Sequence, residues 1–350
     1  MLSGLVRPAG DASSTGGRPP ARVAFNPDAR IILAVHVGST RVLVAVTDLK
    51  GKVLSERSLP LKAADGPAAV LGQAVEQVPE LLATASRRLS ELAGVGIALP
   101  GPVERGTGRP LKANILPGWE GFDIAGYLQQ YLPVPVLVDN DVNMMALAER
   151  NRHWTEHENF FFLNIAEDIR SAVISGGQLQ HGANGMAGDL GHVQVAPTSD
   201  VLCTCGNYGC LQALSSGPGI VRRLRNEGLD ASGAADLLDL AVAGNPQTLQ
   251  AIRQAGRDIG GVLATAVNLL NPSAIVVGGS IGELGEQLVA GIREVIYQRC
   301  PPLATSQLRI GTAIAGAHAA VYGASQMVAQ HVLSPDAVEA TLAANTTRGR

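Results

Sequence analysis

The sequence predicts an α/β protein with mixed sheets, large enough for two domains. Its apolar runs open as a β-hairpin and continue as alternating strands and helices, the arrangement of sheets that combine antiparallel and parallel pairs. At 350 residues, the chain can build two ordinary cores. Hydrophobic residues make up 46% and charged residues 16%, a globular balance. The net charge of −3 gives no bulk attraction to nucleic acid, so any DNA contact would have to be local. No apolar run reaches the ~18 residues of a membrane span, and the N-terminus lacks a secretory apolar core. The protein is therefore expected in the cytoplasm, with no membrane partner.

Residues 3–27, SGLVRPAGDASSTGGRPPARVAFNP, are rich in Gly, Pro and Ser and carry Arg7, Arg18 and Arg22. Two short β-capable pieces, at 5–6 and 23–25, flank a turn-rich segment. By composition alone this stretch reads as a disordered leader. The globular part begins at Ile31, with two apolar runs meeting at residues 38–40 and a turn at 50–51. A helical stretch over 67–92 leads to the strand of VGIALPGPV. In PVPVLVDNDVNMMALAER a strand runs into a helix, with its polar residues at the junction. FFFLNI and SAVISGG are two further strands. Helices are expected near 217–227, 236–243 and 248–270, and NPSAIVVGG reads as a buried strand. A helix over 317–332 closes the fold, and the tail from Ser334 looks frayed.

Three thiols and one imidazole, Cys203, Cys205, Cys210 and His192, fall within GHVQVAPTSDVLCTCGNYGC. They form a full tetrahedral set for Zn²⁺, and Gly206 and Gly209 allow the tight path that would bring the thiols together. With no position left for water, the site should be structural and not hydrolytic. Four cysteines in a chain of this kind do not suggest a disulfide framework, and Cys300 reads as an ordinary buried cysteine.

GDLGH followed by CxCGxxGCLxA resembles the zinc-loop signature of the ROK family of repressors, open reading frames and kinases. LPGPV at 99–103, LPGWEGFDI at 116–124, VDNDVN at 138–143, HGANGMAGDLGH at 181–192 and NPSAIVVGG at 271–279 follow in the family's order and spacing. The resemblance implies the two-lobed hexokinase/actin-like (ribonuclease H-like) fold, with a sugar cleft between the lobes and a structural zinc loop at 192–210. It implies an N-terminal lobe of 29–142 plus 317–332, a C-terminal lobe of 143–316 and a flexible tail of 333–350. It also implies a homodimer or tetramer. In the family's kinases an Asp of the ND pair is the catalytic base, and that position is Asp141, beside Asn140. A carboxylate there can take a proton from a sugar hydroxyl or simply accept its hydrogen bond, so Asp141 alone does not separate enzyme from sensor. The remaining sugar contacts that the resemblance implies fall on Asp189, His192 and Gln212, where the family has Glu, His and Glu. The family's Asn of the LPGW loop aligns with Ile115, with Asn114 one residue early.

The phosphate-handling positions depart from the kinase pattern. The family's DxGGT-like turn is His36-Val37-Gly38-Ser39-Thr40 here, and imidazole is a poor ligand for Mg²⁺. Where the family has GTGIGAG, this chain has Ala166-Glu167-Asp168-Ile169-Arg170-Ser171-Ala172, with no glycine and two acids. A phosphate tail needs close backbone approach and no like charge. Residues 1–28 in turn resemble the wing and linker that end the winged helix-turn-helix of ROK repressors, at 4–6 and 14–19. The expectation is a ROK transcriptional regulator, a catalytically inactive kinase homologue that binds a sugar or sugar-phosphate effector and meets DNA only through helices not included in this chain. The alternatives are an ATP-dependent sugar kinase with an atypical phosphate site, or a regulator remnant that acts by protein contact.

Overall fold

The computed structural model describes residues 4–11, 21–62, 65–111, 116–196 and 199–340. The chain divides into two compact units, residues 1–144 with 318–350, and residues 145–317.

The first unit opens with a hairpin of β1 (Val6–Asp11) and β2 (Ala21–Phe25), paired antiparallel with Val6 opposite Phe25. A leader was expected from composition, but local pairing and anchoring prevail. The Leu5 carbonyl accepts from the Asn26 N–H at 2.8 Å, and Leu5 packs on the cluster of Ile32, Leu49, Val328 and Ala329. β3 (Ile31–Val37), β4 (Arg41–Asp48) and β5 (Val53–Pro60) form an antiparallel meander. Helices α1 (Pro67–Glu76) and α2 (Val78–Thr84) follow, then β6 (Leu92–Leu99), α3 (Ile124–Gln129) and β7 (Val136–Asn140). The single helix expected over 67–92 is thus two. It ends at a turn where Ser86 has φ 55, and a 3-10 turn at Leu89–Glu91 precedes β6. The sheet order is β5-β4-β3-β6-β7, with β6 and β7 parallel to β3. Val70, Leu71, Leu81, Ile97 and Trp119 are among the core residues over one face.

α4 (Asp141–His153) leaves β7 without an intervening loop and leads into the second unit. There β8 (Phe160–Ile165), β9 (Ile169–Ser175) and β10 (Gln178–Leu179) form a second meander. Next come α5 (Leu211–Ser215), α6 (Gly217–Asn226), α7 (Ala234–Val242) and α8 (Pro246–Leu270). β11 (Ala274–Gly278), α9 (Glu286–Arg299), α10 (Pro302–Thr305) and β12 (Arg309–Thr312) complete the unit. The order β10-β9-β8-β11-β12 repeats that of the first unit strand for strand, three antiparallel and then two parallel. Continuous apolar strands such as β8 and β11, buried along their whole length, are what a sheet covered on both faces requires. α11 (Ala319–Val332) returns to the first unit, where Val328 and Ala329 pack on Ile32. Residues 335–340, expected to fray, are helical. No helix among the described residues is long and apolar enough to cross a membrane.

Candidate functional site: an Asp–His pair and a cysteine–histidine cluster

At the β7–α4 junction, the N-cap of α4 is Asn140. Its Oδ1 accepts from the Val142 N–H at 2.8 Å, and its Nδ2 donates to the Gly101 carbonyl at 2.6 Å. Asp139 accepts from the Asn140 N–H and from Nδ2 of Asn143. Asp141 opens α4, where the positive end of the helix dipole favours its charge, and it is buried. Its Oδ2 lies 3.8 Å from Nε2 of His36 at the end of β3. Thus the first unit brings together His36 and Asp141, the two positions where the kinase pattern would place the Mg²⁺-side acid and the base. Asn114 and Ile115 lie outside the described residues.

In the second unit, the ligand atoms of His192, Cys203, Cys205 and Cys210 all lie within 4.8 Å of one another. Two tight turns gather them. The Gly206 N–H returns to the Cys203 carbonyl at 2.9 Å, and the Cys203 N–H donates to the Asn207 carbonyl at 2.8 Å. Gly206 and Gly209 have φ of 93° and 68°, where a side chain would be strained. A Cβ on Gly209 would also overlap the Ala196 carbonyl. Cys205 and Cys210 sulfurs stand 3.7 Å apart, and Nδ1 of His192 is 3.5 Å from the Cys203 sulfur. A tetrahedral ion with bonds of about 2.3 Å to sulfur and 2.0 Å to nitrogen needs edges of about 3.8 and 3.5 Å. The donor set and its spacing fit a metal ion. Burial pushes the Cys210 thiol up to about 12, while the Asn207 N–H holds Cys205 below its ordinary value. Gathering thiols this closely favours a cation that would keep them as thiolates.

Asp189 and Gln212 flank this loop. Burial raises the Asp189 carboxyl, against the opposing pull of His192 and Arg170. Gln212, near the start of α5, donates to the Thr204 hydroxyl at 3.4 Å and through its backbone N–H to the Gly191 carbonyl. The turn between β8 and β9 holds residues 166–168, which the resemblance aligns with the family's GTGIGAG loop. Asp168 pairs with Nε of Arg170 at 2.9 Å, the Ala166 N–H donates to the Asp168 carbonyl, and the Ala166 carbonyl accepts from Gly217. Gly279, at the exit of β11, has a structural reason of its own. Its φ is 86°, and a Cβ there would overlap the Ile165 carbonyl.

Sequence reasoning passed over Glu149, fully buried within α4, whose Oε1 accepts the backbone N–H groups of Ile314 and Ala315. An acid that directly follows the apolar run MMALA was the only signal, and the polar ERNRH stretch it opens disguises its burial. No element pattern could have shown that its partners lie more than 160 positions away.

The ROK family profile matches residues 32–331. A glucokinase from Halalkalibacterium halodurans is 29% identical over 318 residues, 86% of this chain and 96% of its own length. A putative xylose repressor from Caldicellulosiruptor sp. is 25% identical over 355 residues, covering 97% of this chain and 88% of the repressor. A crystal structure of a ROK-family transcriptional regulator, a homologue of the E. coli MLC protein, superposes with a TM-score of 0.81 at 23% identity, covering 93% of this chain and 85% of that one. With a family match across most of its length and the same α/β fold of mixed sheets, this chain belongs to the ROK family.

Proposed function

We propose that this chain is the sugar-sensing part of a cytoplasmic transcriptional regulator that binds a sugar or sugar phosphate without phosphorylating it. The observation that carries this reading is the β8–β9 turn. A phosphate-binding loop offers unoccupied backbone N–H groups and no negative charge. This turn spends the Ala166 N–H internally and carries Glu167 and Asp168 where the family's loop has Thr and Gly. Residue 36 supports it, because an imidazole stands where a hard metal would need oxygen. The reach of the xylose repressor alignment points the same way. The 3% of this chain that it leaves out is too little to hold residues 1–31, which precede the family domain.

The ligand contacts proposed are Asn140 and Asp141, with Asp189, His192 and Gln212, and the ion proposed for His192, Cys203, Cys205 and Cys210 is a structural zinc. The metal would hold the loop that carries His192 and precedes Gln212, and it would take no part in group transfer. DNA contact would be made by helices beyond those described, in a homodimer or tetramer. Glucokinase similarity and the retained Asp141 favour the second reading, an ATP-dependent sugar kinase. ADP release over a panel of hexoses, pentoses and N-acetylhexosamines separates the two. No turnover is expected, and turnover near ~1 s⁻¹ that Asp141→Ala abolishes would make the chain a kinase.

A further inference from the structure

Nε2 of His36 is sealed from solvent and has no hydrogen-bond partner among the described residues. It stands 3.8 Å from Oδ2 of Asp141, too far for a direct hydrogen bond. A buried donor left without a partner is costly, so such an atom points to something that completes it on binding. The spacing is what one bridging oxygen requires, an atom about 2.8 Å from each, and because Nε2 is sealed the neighbouring side chains must part to admit it. A hydroxyl is the group with the right polarity. It donates its hydrogen to the carboxylate and accepts from the imidazole N–H. A carboxylate at position 36 would be acceptor-only and could not complete the arrangement.

We propose that His36 and Asp141 together grip one unphosphorylated hydroxyl of the sugar effector, with His36 as a specificity-determining residue that marks the ligand as a free sugar at that position. The inference rests on the sugar-sensing reading above. Electrostatics select the free hydroxyl over its phosphate ester. An ester there would press its charge against the buried Asp141, with the carboxylate of Asp139, also buried, two residues away. The same bridge works against transfer. Asp141 could still accept the hydroxyl hydrogen, but the hydrogen bond from the His36 N–H takes up one of the oxygen's two lone pairs and lowers its nucleophilicity. His36 thus replaces an acid with a donor and turns a nucleophile's seat into a binding contact.

The test is titration calorimetry and thermal shift on the full chain with glucose, xylose, mannose and N-acetylglucosamine. For whichever sugar binds, deoxy and phosphate-ester analogues are then tested at each hydroxyl. His36→Ala should weaken that sugar by about tenfold or more. His36→Gln, which keeps an N–H donor at similar reach, should recover much of the loss. At one hydroxyl, both the deoxy and the phosphorylated analogue should bind the wild type about tenfold or more weakly, and the deoxy penalty should shrink in His36→Ala. Metal content and the sugar-free melting temperature of each variant show that the fold is intact. Equal affinity of wild type and His36→Ala would remove His36 from the site while leaving the sensor reading in place. A phosphate ester that binds tighter than its parent at every position would overturn the free-hydroxyl assignment. No sugar binding to the wild type would sink the sensor reading itself, and this inference with it.

Discussion

Cys205 is the exposed member of its cluster, whereas Cys203 and Cys210 are buried. Replacing its sulfur with oxygen leaves three strong ligands around an ion that prefers four. Cys205→Ser should therefore lower bound zinc from about one per chain and reduce the melting temperature, because metal binding and folding of such loops are linked. Metal analysis of protein purified without chelator checks this, and a metal-free wild type would refute the assignment. The clustering of His192 with the three cysteines was readable from their spacing, because the three cysteines lie within eight positions. His36 was readable only as a missing acid. That its ring nitrogen comes within 4 Å of Asp141 is set by adjacent β3 and β6 and by β7 on β6, where His36 pairs with Ala98 and Leu99 with Asn140, two long-range pairings in series. Asn140 shows a similar limit. Which residue of the Asn–Asp pair caps α4 is decided by the backbone at the β7–α4 junction, which directs the Val142 N–H to Asn140 Oδ1.

At the scale of elements, the crossing of α8 and α9 depends on glycine. A Cβ on Gly256 would overlap the Leu288 carbonyl, and one on Gly291 the Arg253 carbonyl. Gly256→Ala should thus cost about 1–3 kcal/mol through overpacking, despite alanine's better helix propensity, as measured by urea unfolding. An unchanged or raised midpoint would show that the helices can separate without loss. α9 was legible in principle: Leu288, Val289, Ile292, Val295 and Ile296 mark one buried face at helical spacing. The turn before β6 supplies a pH-dependent contribution. The Arg88 N–H, then the Arg87 side chain, hold the Glu91 carboxyl down at about 2. A depressed acid stabilises the fold above its unfolded value, near 4.5, and that contribution fades as pH falls toward 2. Glu91→Gln should be less stable than wild type by ~0.5–1 kcal/mol at neutral pH, with the gap closing in acid. A gap that persists at pH 2 would assign the loss to shape and not to charge.

Across the whole molecule, each unit carries its own sheet and core: Phe161, Leu163 and Ile275 in one, Leu33, Val35 and Ile97 in the other. The alternation of strands and helices was legible from the sequence. The strand-for-strand repeat was not, because strand order depends on pairings that no local pattern encodes. Two cores predict two responses to loss of metal. The cluster lies wholly in residues 192–210, in a segment between β10 and α5 tied back to its own unit by the Gln212 N–H to the Gly191 carbonyl. Chelation should release constraints there first. Hydrogen exchange after metal removal should then accelerate in 190–215 and in β8–β10, while β3, β4 and β6 stay protected, since local openings follow cooperative units. Calorimetry should show broadening or splitting of the transition, as expected when a chain departs from two-state unfolding. If exchange rises equally in β3 and β8, the chain unfolds as one body and the cluster stabilises all of it. If neither region changes although the metal is gone, the turns at Gly206 and Gly209 hold the loop unaided, and the metal's structural role falls.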